Sequence, residues 1–254
     1  MSTLLEADSL HVAVPGRVLV DGLRCQFQAG ELVALLGGNG SGKSLLLRTL
    51  AGLRPPTAGR VLLAGEPVDS LARRDVARRL GFLPQDPETA TQGGVAESVI
   101  LGRFAHLGFW EPAGDSDSAR VERALEQVGI AGLAGRELGT LWGGEQRRAA
   151  IARLLVQAPS IYLLDEPTNH LDPAQQLAVL QTMHALSREG ATVIVSLHDP
   201  NLALRFADRV ALLAGNGNVE LVESRALDPG HLGRLYGLRY AEALLGGQRI
   251  MAPV

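Results

Sequence analysis

Residues 31–53 read Glu31-Leu32-Val33-Ala34-Leu35-Leu36-Gly37-Gly38-Asn39-Gly40-Ser41-Gly42-Lys43-Ser44-Leu45-Leu46-Leu47-Arg48-Thr49-Leu50-Ala51-Gly52-Leu53. Glu31–Leu36 is an apolar run of strand length, and Ser44–Leu53 carries helical periodicity. Between them, Gly37–Ser44 matches G-x-x-x-x-G-K-[ST]. Strand, glycine loop and helix in that order make a phosphate cradle. Glycines let successive backbone N–H groups curl around an anion, and the helix N-terminus adds a favourable dipole. Gly37, Gly38, Asn39, Gly40, Ser41, Gly42, Lys43, Ser44 and Leu45 are therefore the predicted nucleotide-binding set. Lys43 is expected to reach the terminal phosphates, and the Ser44 hydroxyl to ligate magnesium.

Lys43 is also the only lysine in the chain, so 23 of the 24 basic residues are arginines. Ordinary solvated cations here are written as arginine. The one lysine marks a place where a compact ammonium is needed and a planar guanidinium does not fit.

Working outward, 254 residues with 46% hydrophobic content can bury a core without disulfide staples. The balance of 24 basic against 27 acidic residues gives a formal charge of −3, and aromatics are only 4%. That excludes a basic nucleic-acid footprint and a stacking platform, so no nucleic-acid partner is expected. The single cysteine, Cys25, cannot form an intramolecular disulfide and fits a reducing compartment. Met1–Leu10 carries Glu6 and Asp8 and lacks the layout of a signal peptide. No apolar run approaches the roughly 18 residues of a membrane span. A soluble, intracellular chain is expected.

Apolar runs alternate with amphipathic stretches along the whole chain, the pattern of an α/β fold. Arg60–Leu63, Leu80–Leu83, Ile161–Leu164, Thr192–Ser196 and Arg209–Leu213 read as strands. Leu71–Arg79 and Pro173–Ser187 read as helices, the first with Ser70 as its N-cap. From about 86 to 158 the pattern is helical (Val95–Arg103, Ser118–Val128, Gly144–Val156) and is broken by the polar loop Glu111–Ser118. This stretch is predicted to be a helical insert, with Phe109-Trp110 covering it. Arg73, Arg74, Arg78 and Arg79 read as a solvated face. Arg239–Leu245 and Gln248–Ala252 flank Gly246-Gly247 as a β-hairpin.

Ile161-Tyr162-Leu163-Leu164-Asp165-Glu166 is an apolar strand ending in two adjacent carboxylates. On a strand neighbouring the phosphate loop, Asp165 is expected to hold the magnesium shell. Glu166, facing the other way, is expected to polarise an attacking water as a general base. Paired with the glycine loop, the two carboxylates imply nucleoside triphosphate hydrolysis. Of the six histidines, His198 alone follows a buried strand, Val193–Leu197, predicted to lie beside the carboxylate strand. The other five show no metal-ligand spacing.

Leu141-Trp142-Gly143-Gly144-Glu145-Gln146 precedes a helix. Together with Asp165-Glu166-Pro167-Thr168-Asn169-His170-Leu171-Asp172, Gln85 and His198, it resembles the ATP-binding cassette (ABC) family, in order and over nearly the whole chain. The resemblance implies a phosphate-loop ATPase cassette at 4–238, with an N-terminal antiparallel β region and the helical insert, followed by a hairpin tail at 239–254. It implies ATP and Mg2+ as cofactors, and a head-to-tail dimer with two ATP molecules at its interface. Trp142, Gly143, Gly144 and Glu145 of one copy then cap the nucleotide of the other, and Asp172 lies in the loop that crosses the interface. Gln85 matches the loop that contacts magnesium and senses the membrane subunit. His198 matches the residue that contacts the γ-phosphate and positions the water.

Two departures stand out. The adenine-stacking aromatic of the first hairpin is replaced by Val14, with Arg17 nearby, which leaves adenine to Arg17 or to apolar contact. Trp142 stands where the family usually has a serine that donates to the γ-phosphate. A single cassette resembles the ATPase subunit of a bacterial importer, peripheral at the cytoplasmic face of the inner membrane. Its expected partners are integral membrane permease subunits and, indirectly, a substrate-binding protein. Leu101–Gly108 and the terminal hairpin resemble the importers of ferric siderophores, haem and cobalamin. The competing class is a soluble, ribosome-associated ABC ATPase, which usually joins two cassettes.

Overall fold

The chain begins with two twelve-residue strands, β1 (Thr3–Val14) and β2 (Arg17–Gln28), joined through Pro15-Gly16. In the computed structural model, which describes residues 3–86, 93–107 and 114–254, these strands pair antiparallel. β3 (Leu32–Leu36) buries all five residues, as a strand covered on both faces does. The helix after the glycine loop, α1 (Lys43–Leu50), stops three residues short of the expected end. Gly52 turns the chain there with φ near +66°, a conformation that glycine adopts at no steric cost. β4 (Ala58–Leu63) and β5 (Glu66–Pro67) return to the first sheet, whose order is β2-β1-β4-β5.

Next come α2 (Arg73–Arg79) and β6 (Leu80–Leu83). Ser70 does not cap α2. Ala72 holds the N-cap position, and the Ser70 hydroxyl donates to Pro67 O within its own 3-10 turn. Nor are the α2 arginines merely solvated. Arg73 donates to Gly52 O at 2.7 Å, and Arg74 and Arg78 both donate to Ala105 O. They tie the insert to the phosphate-binding half.

The insert contains α3 (Val95–Ile100), a 3-10 turn at Leu101–Ala105, α4 (Asp115–Gln127) and α5 (Gly143–Gln157). α4 starts three residues earlier than its periodicity suggests. The Asp117 carboxylate accepts the Gly114 N–H and also pairs with Arg103 at 2.7 Å. The Asp117 pKa is held below the usual carboxylate range by those same two bonds, Arg103 first. Phe109-Trp110, Gly108 and the first part of the Glu111–Ser118 loop lie outside the described residues.

The remainder alternates β7 (Ile161–Leu164), α6 (Pro173–Arg188), β8 (Thr192–Ser196), α7 (Pro200–Phe206) and β9 (Arg209–Leu213). It ends with β10 (Val219–Glu223), α8 (Pro229–Tyr236), β11 (Tyr240–Leu245) and β12 (Gln248–Pro253). The central sheet runs β10-β9-β3-β8-β7-β6, parallel except for the antiparallel edge strand β10. The carboxylate strand β7 is separated from β3 by β8, and it meets the glycine loop across the end of the sheet rather than by pairing with β3. β11 and β12 form a hairpin of their own, docked by two hydrogen bonds between Asn201 and the Met251 backbone.

Three apolar clusters hold these layers. α1 packs Leu46, Leu47 and Leu50 between the first sheet and the central one. α6, α7 and α8 cover the opposite face of the central sheet. The insert has its own core around Val95, Val99, Val121 and Leu125. α5 belongs to two of these clusters, giving Ile151 and Leu154 to the sheet and Ala149, Ala152 and Val156 to the insert. Because Leu47 is fully buried in the core between the two sheets, Leu47→Ala is expected to destabilise the chain by about 2–5 kcal/mol. A urea or thermal unfolding curve measures this.

Candidate functional site

Strands β3, β8 and β7 end at one edge, and a cleft of about 510 Å³ opens beyond them. Leu19, Asn39, Gly40, Ser41, Gly42, Lys43, Ser44, Leu45, Gln85, Glu166, Asn169 and His198 line it. Two larger hollows, of about 710 and 930 Å³, lie elsewhere and contain none of these residues. Chemistry, not volume, singles out the smaller one. It sits outside the carboxyl ends of parallel strands, where α/β sheets bind ligands.

The loop curls because two of its glycines cannot be anything else. A Cβ on Gly37 would stand 2.5 Å from Ser41 Oγ and 2.6 Å from Leu213 O. Gly42 has φ near +105°, and its Cβ would meet the Leu19 Cβ at 2.9 Å. Lys43, at the first turn of α1, is buried, and its Nζ donates to Gly37 O at 2.7 Å and Gly38 O at 3.3 Å. Burial pushes the ammonium pKa down, while the Glu166 and Asp165 carboxylates act to raise it. The cation is thus held by the loop's own carbonyls, within the field of both acids.

Asp165 is fully buried, beneath the cleft rather than on its wall. Ser196 Oγ, at the end of β8, donates to Asp165 Oδ1 and accepts the Glu166 N–H, each at 2.7 Å. Asp165 Oδ2 is buried with no hydrogen-bond partner among the described residues. An orphaned carboxylate oxygen fits a hard divalent cation, with the Ser44 hydroxyl and the Gln85 amide as further oxygen donors from the cleft wall. Glu166 has a left-handed backbone, φ near +48°, which costs a non-glycine residue of order 1 kcal/mol. Its side chain is held at both oxygens. His198 Nε2 lies 2.7 Å from Oε1, and the Asn169 amide donates to Oε2.

The remaining sequence-predicted residues stand outside this cleft. Trp142 is the N-cap of α5 and is 81% exposed, and its N–H donates to the Glu145 carboxylate at 3.0 Å. Gly143 and Gly144 open that helix. Asp172 caps α6 by accepting the Gln175 N–H at 2.9 Å. Arg17 directs Nε and Nη2 to Gly215 O, at 3.0 and 2.8 Å, and Val14 pairs with Arg17 in the β1–β2 ladder. Sequence reading gave no role to Ser196, Asn169 or Leu19. A hydroxyl ending the apolar run Thr192–Ser196 was the available signal for Ser196. For Leu19 there was none, since its approach to Gly42 is tertiary.

A family model described as ABC transporter matches residues 20–169, and one for an AAA domain matches residues 143–205. A hemin import ATP-binding protein of Bordetella avium is 39% identical over 243 residues, which is 92% of each chain. A cobalamin import ATP-binding protein of Halobacterium salinarum is 37% identical over 83% of this chain and 52% of its own. An achromobactin transport ATP-binding protein of Dickeya dadantii is 38% identical over 82% of this chain and 78% of its own. Among solved structures, an inward-facing ABC transporter described as of metal-chelate type superposes with TM-score 0.85, at 27% identity, over 100% of this chain and 98% of that one. A dimeric bacterial ABC transporter cassette superposes with TM-score 0.80, at 28% identity, over 88% of this chain and 100% of that one.

The Lys43 pocket yields a prediction. A guanidinium is larger and planar, and the loop carbonyls leave room for a point charge. Lys43→Arg is expected to lose a charge-assisted bond of about 1.5–3 kcal/mol, or about ten- to a hundredfold in ATP turnover. Steady-state ATPase rates with a nucleotide-binding titration check it.

Proposed function

Because this chain belongs to the ABC transporter family, and is an ATPase of the importer type, we propose that it works as a head-to-tail pair beneath a membrane permease, driving uptake of a metal-chelate compound such as haem, cobalamin or a ferric siderophore. The observation that carries the assignment of roles is the arrangement around Glu166. A carboxylate held at both oxygens stands in one cleft with the glycine loop and beside a buried, unpartnered Asp165 oxygen. The names of the relatives support the substrate class, and substrate choice belongs to the permease and to a substrate-binding protein. Among the described residues no helix is long and apolar enough to cross a membrane, in keeping with a peripheral subunit on the cytoplasmic face of the inner membrane. Residues 4–238 are the cassette, and 239–254 a docked tail.

When ATP enters, the Gly37–Leu45 backbone N–H groups and the α1 dipole receive its phosphates. Lys43 exchanges the Gly37 and Gly38 carbonyls for terminal phosphate oxygens, a short movement for an ammonium already in place. Ser44, Gln85 and Asp165 would hold a magnesium ion, which would supply positive charge beside the phosphates. Glu166 accepts the proton of the attacking water. His198 holds that carboxylate through Nε2 before ATP binds and turns the same N–H to the γ-phosphate once it has. The exposed N-terminus of α5, Trp142–Glu145, caps the nucleotide of the partner, and Asp172 lies at the crossing between copies.

Glu166→Gln keeps the shape and loses the basicity. It is expected to retain ATP binding and to lose turnover by at least about a hundredfold. An ATP-dependent dimer should then accumulate in gel filtration, and wild-type turnover in this variant would remove Glu166 from the mechanism.

Trp142 offers an indole where a hydroxyl usually donates to a phosphate oxygen. A bond to a charged oxygen is worth roughly 1.5–3 kcal/mol, and it acts on charge that develops during transfer. Trp142→Ser is therefore expected to raise kcat by about ten- to a hundredfold, with a smaller change in nucleotide affinity. An unchanged rate in the permease complex would mark the tryptophan as an adapted contact.

A further inference from the structure

Arg147 lies one turn into α5 and is only 3% exposed. Its guanidinium donates to four backbone carbonyls on two separate loops. Nη1 reaches Pro84 O and, at 2.9 Å, Gln85 O, just beyond the end of β6. Nη2 reaches Asp165 O, and Nε reaches Pro167 O at 3.4 Å. Among the described residues no other donor reaches these four oxygens, and no carboxylate comes within ion-pair distance of Arg147. Burial pushes the group's pKa down to about 10, with Asp165, Asp86 and Glu166 opposing the fall, so it stays charged at neutral pH. A buried cation neutralised by carbonyl dipoles is costly to assemble and costly to disturb.

The placement is what gives this contact meaning. α5 begins at Trp142–Glu145, the segment that under the proposed function engages the partner's nucleotide. Gln85 and the 165–167 turn belong to the nucleotide site of Arg147's own chain. The Arg147 fork is planar and fixed, so its bonds to the two loops cannot be kept if α5 shifts relative to them.

We propose that Arg147 is a positioning residue that couples the two nucleotide sites of the dimer: engagement of the α5 N-terminus on one ATP is relayed, through Arg147, to the Gln85 and Asp165–Pro167 loops of the other site. This rests on the head-to-tail reading above. A flexible tether would keep each site competent to bind and would lose the relay. A mere prop of the fold would affect binding, stability and turnover together.

The test uses the full-length chain with Arg147→Lys and Arg147→Gln, each also in a Glu166→Gln background. ATP-dependent dimerisation in that background is expected at ATP concentrations within about twofold of the parent's. Turnover in the Glu166 chain should fall about tenfold or more, and the Hill coefficient of turnover against ATP should drop to about 1, because the relay acts on the catalytic loops and not on the binding of either nucleotide. Lysine keeps the buried charge but not the fork, so Arg147→Lys should retain more turnover than Arg147→Gln and still lose cooperativity. Unchanged turnover and Hill coefficient in both variants would overturn the proposal. So would dimerisation and turnover falling in step, or aggregation of both variants, because each makes Arg147 a residue of the fold alone. If the Glu166→Gln chain with Arg147 intact forms no dimer with ATP, it is the head-to-tail reading that fails.

Discussion

Val195 pairs with Ala34 on one side and Leu164 on the other, and this shared register fixes the level at which β3, β8 and β7 stop. Parallel strands that end level present a glycine loop, a hydroxyl and two carboxylates to the same crevice. A slip of one residue in β8 would turn Ser196 to the opposite face of the sheet and remove the hydroxyl from Asp165. The five buried residues of β3 and of β8 prevent that slip, because both faces of these strands are packed. Apolar packing and polar site are thus one constraint, not two.

From that edge the electrostatics follow. The Asp165 carboxylate is fully buried and satisfied at one oxygen only, and Lys43 is buried close enough to feel it. A site that contains a buried ammonium, a half-satisfied carboxylate and a strained Glu166 backbone is poised rather than relaxed. Neighbouring structure holds the poise: the Ser196 hydroxyl accepts the Glu166 N–H, and Asn169 and His198 fix its side chain. α5 enters the same account from the side. It is packed on two cores, carries Trp142 at its exposed tip, and reaches the loops of the site through Arg147.

Much of this was legible in the amino-acid order. Local chemistry dictates Gly37–Ser44, because Gly37 and Gly42 leave no room for a Cβ and the loop's own carbonyls receive the Lys43 ammonium. Periodicity and apolar runs give β6, β7, β8 and β9 to the residue, since buried parallel strands are short, continuous and sharply bounded. Element ends were less legible, because caps and turns compete within a few residues of one another. The Asp117 carboxylate moved the start of α4, Gly52 ended α1, and Ala72 rather than Ser70 began α2.

What the sequence by itself determined is the inventory: a phosphate loop, two carboxylates ending a strand, a histidine after another strand, and a glycine-rich helix start at Gly143-Gly144. Each is a short-range pattern, so its meaning survives without coordinates. Only the tertiary structure decided that β8 separates β3 from β7, so that Ser196, at the end of β8, is the residue hydrogen-bonded to both acids. Only it showed Arg17 held by Gly215 O, the α2 arginines bracing Ala105, and Arg147 gathering carbonyls from two distant loops. The physical reason is the same in each case. A backbone carbonyl leaves no mark in the sequence, and the partner of a buried cation is chosen by where the chain passes.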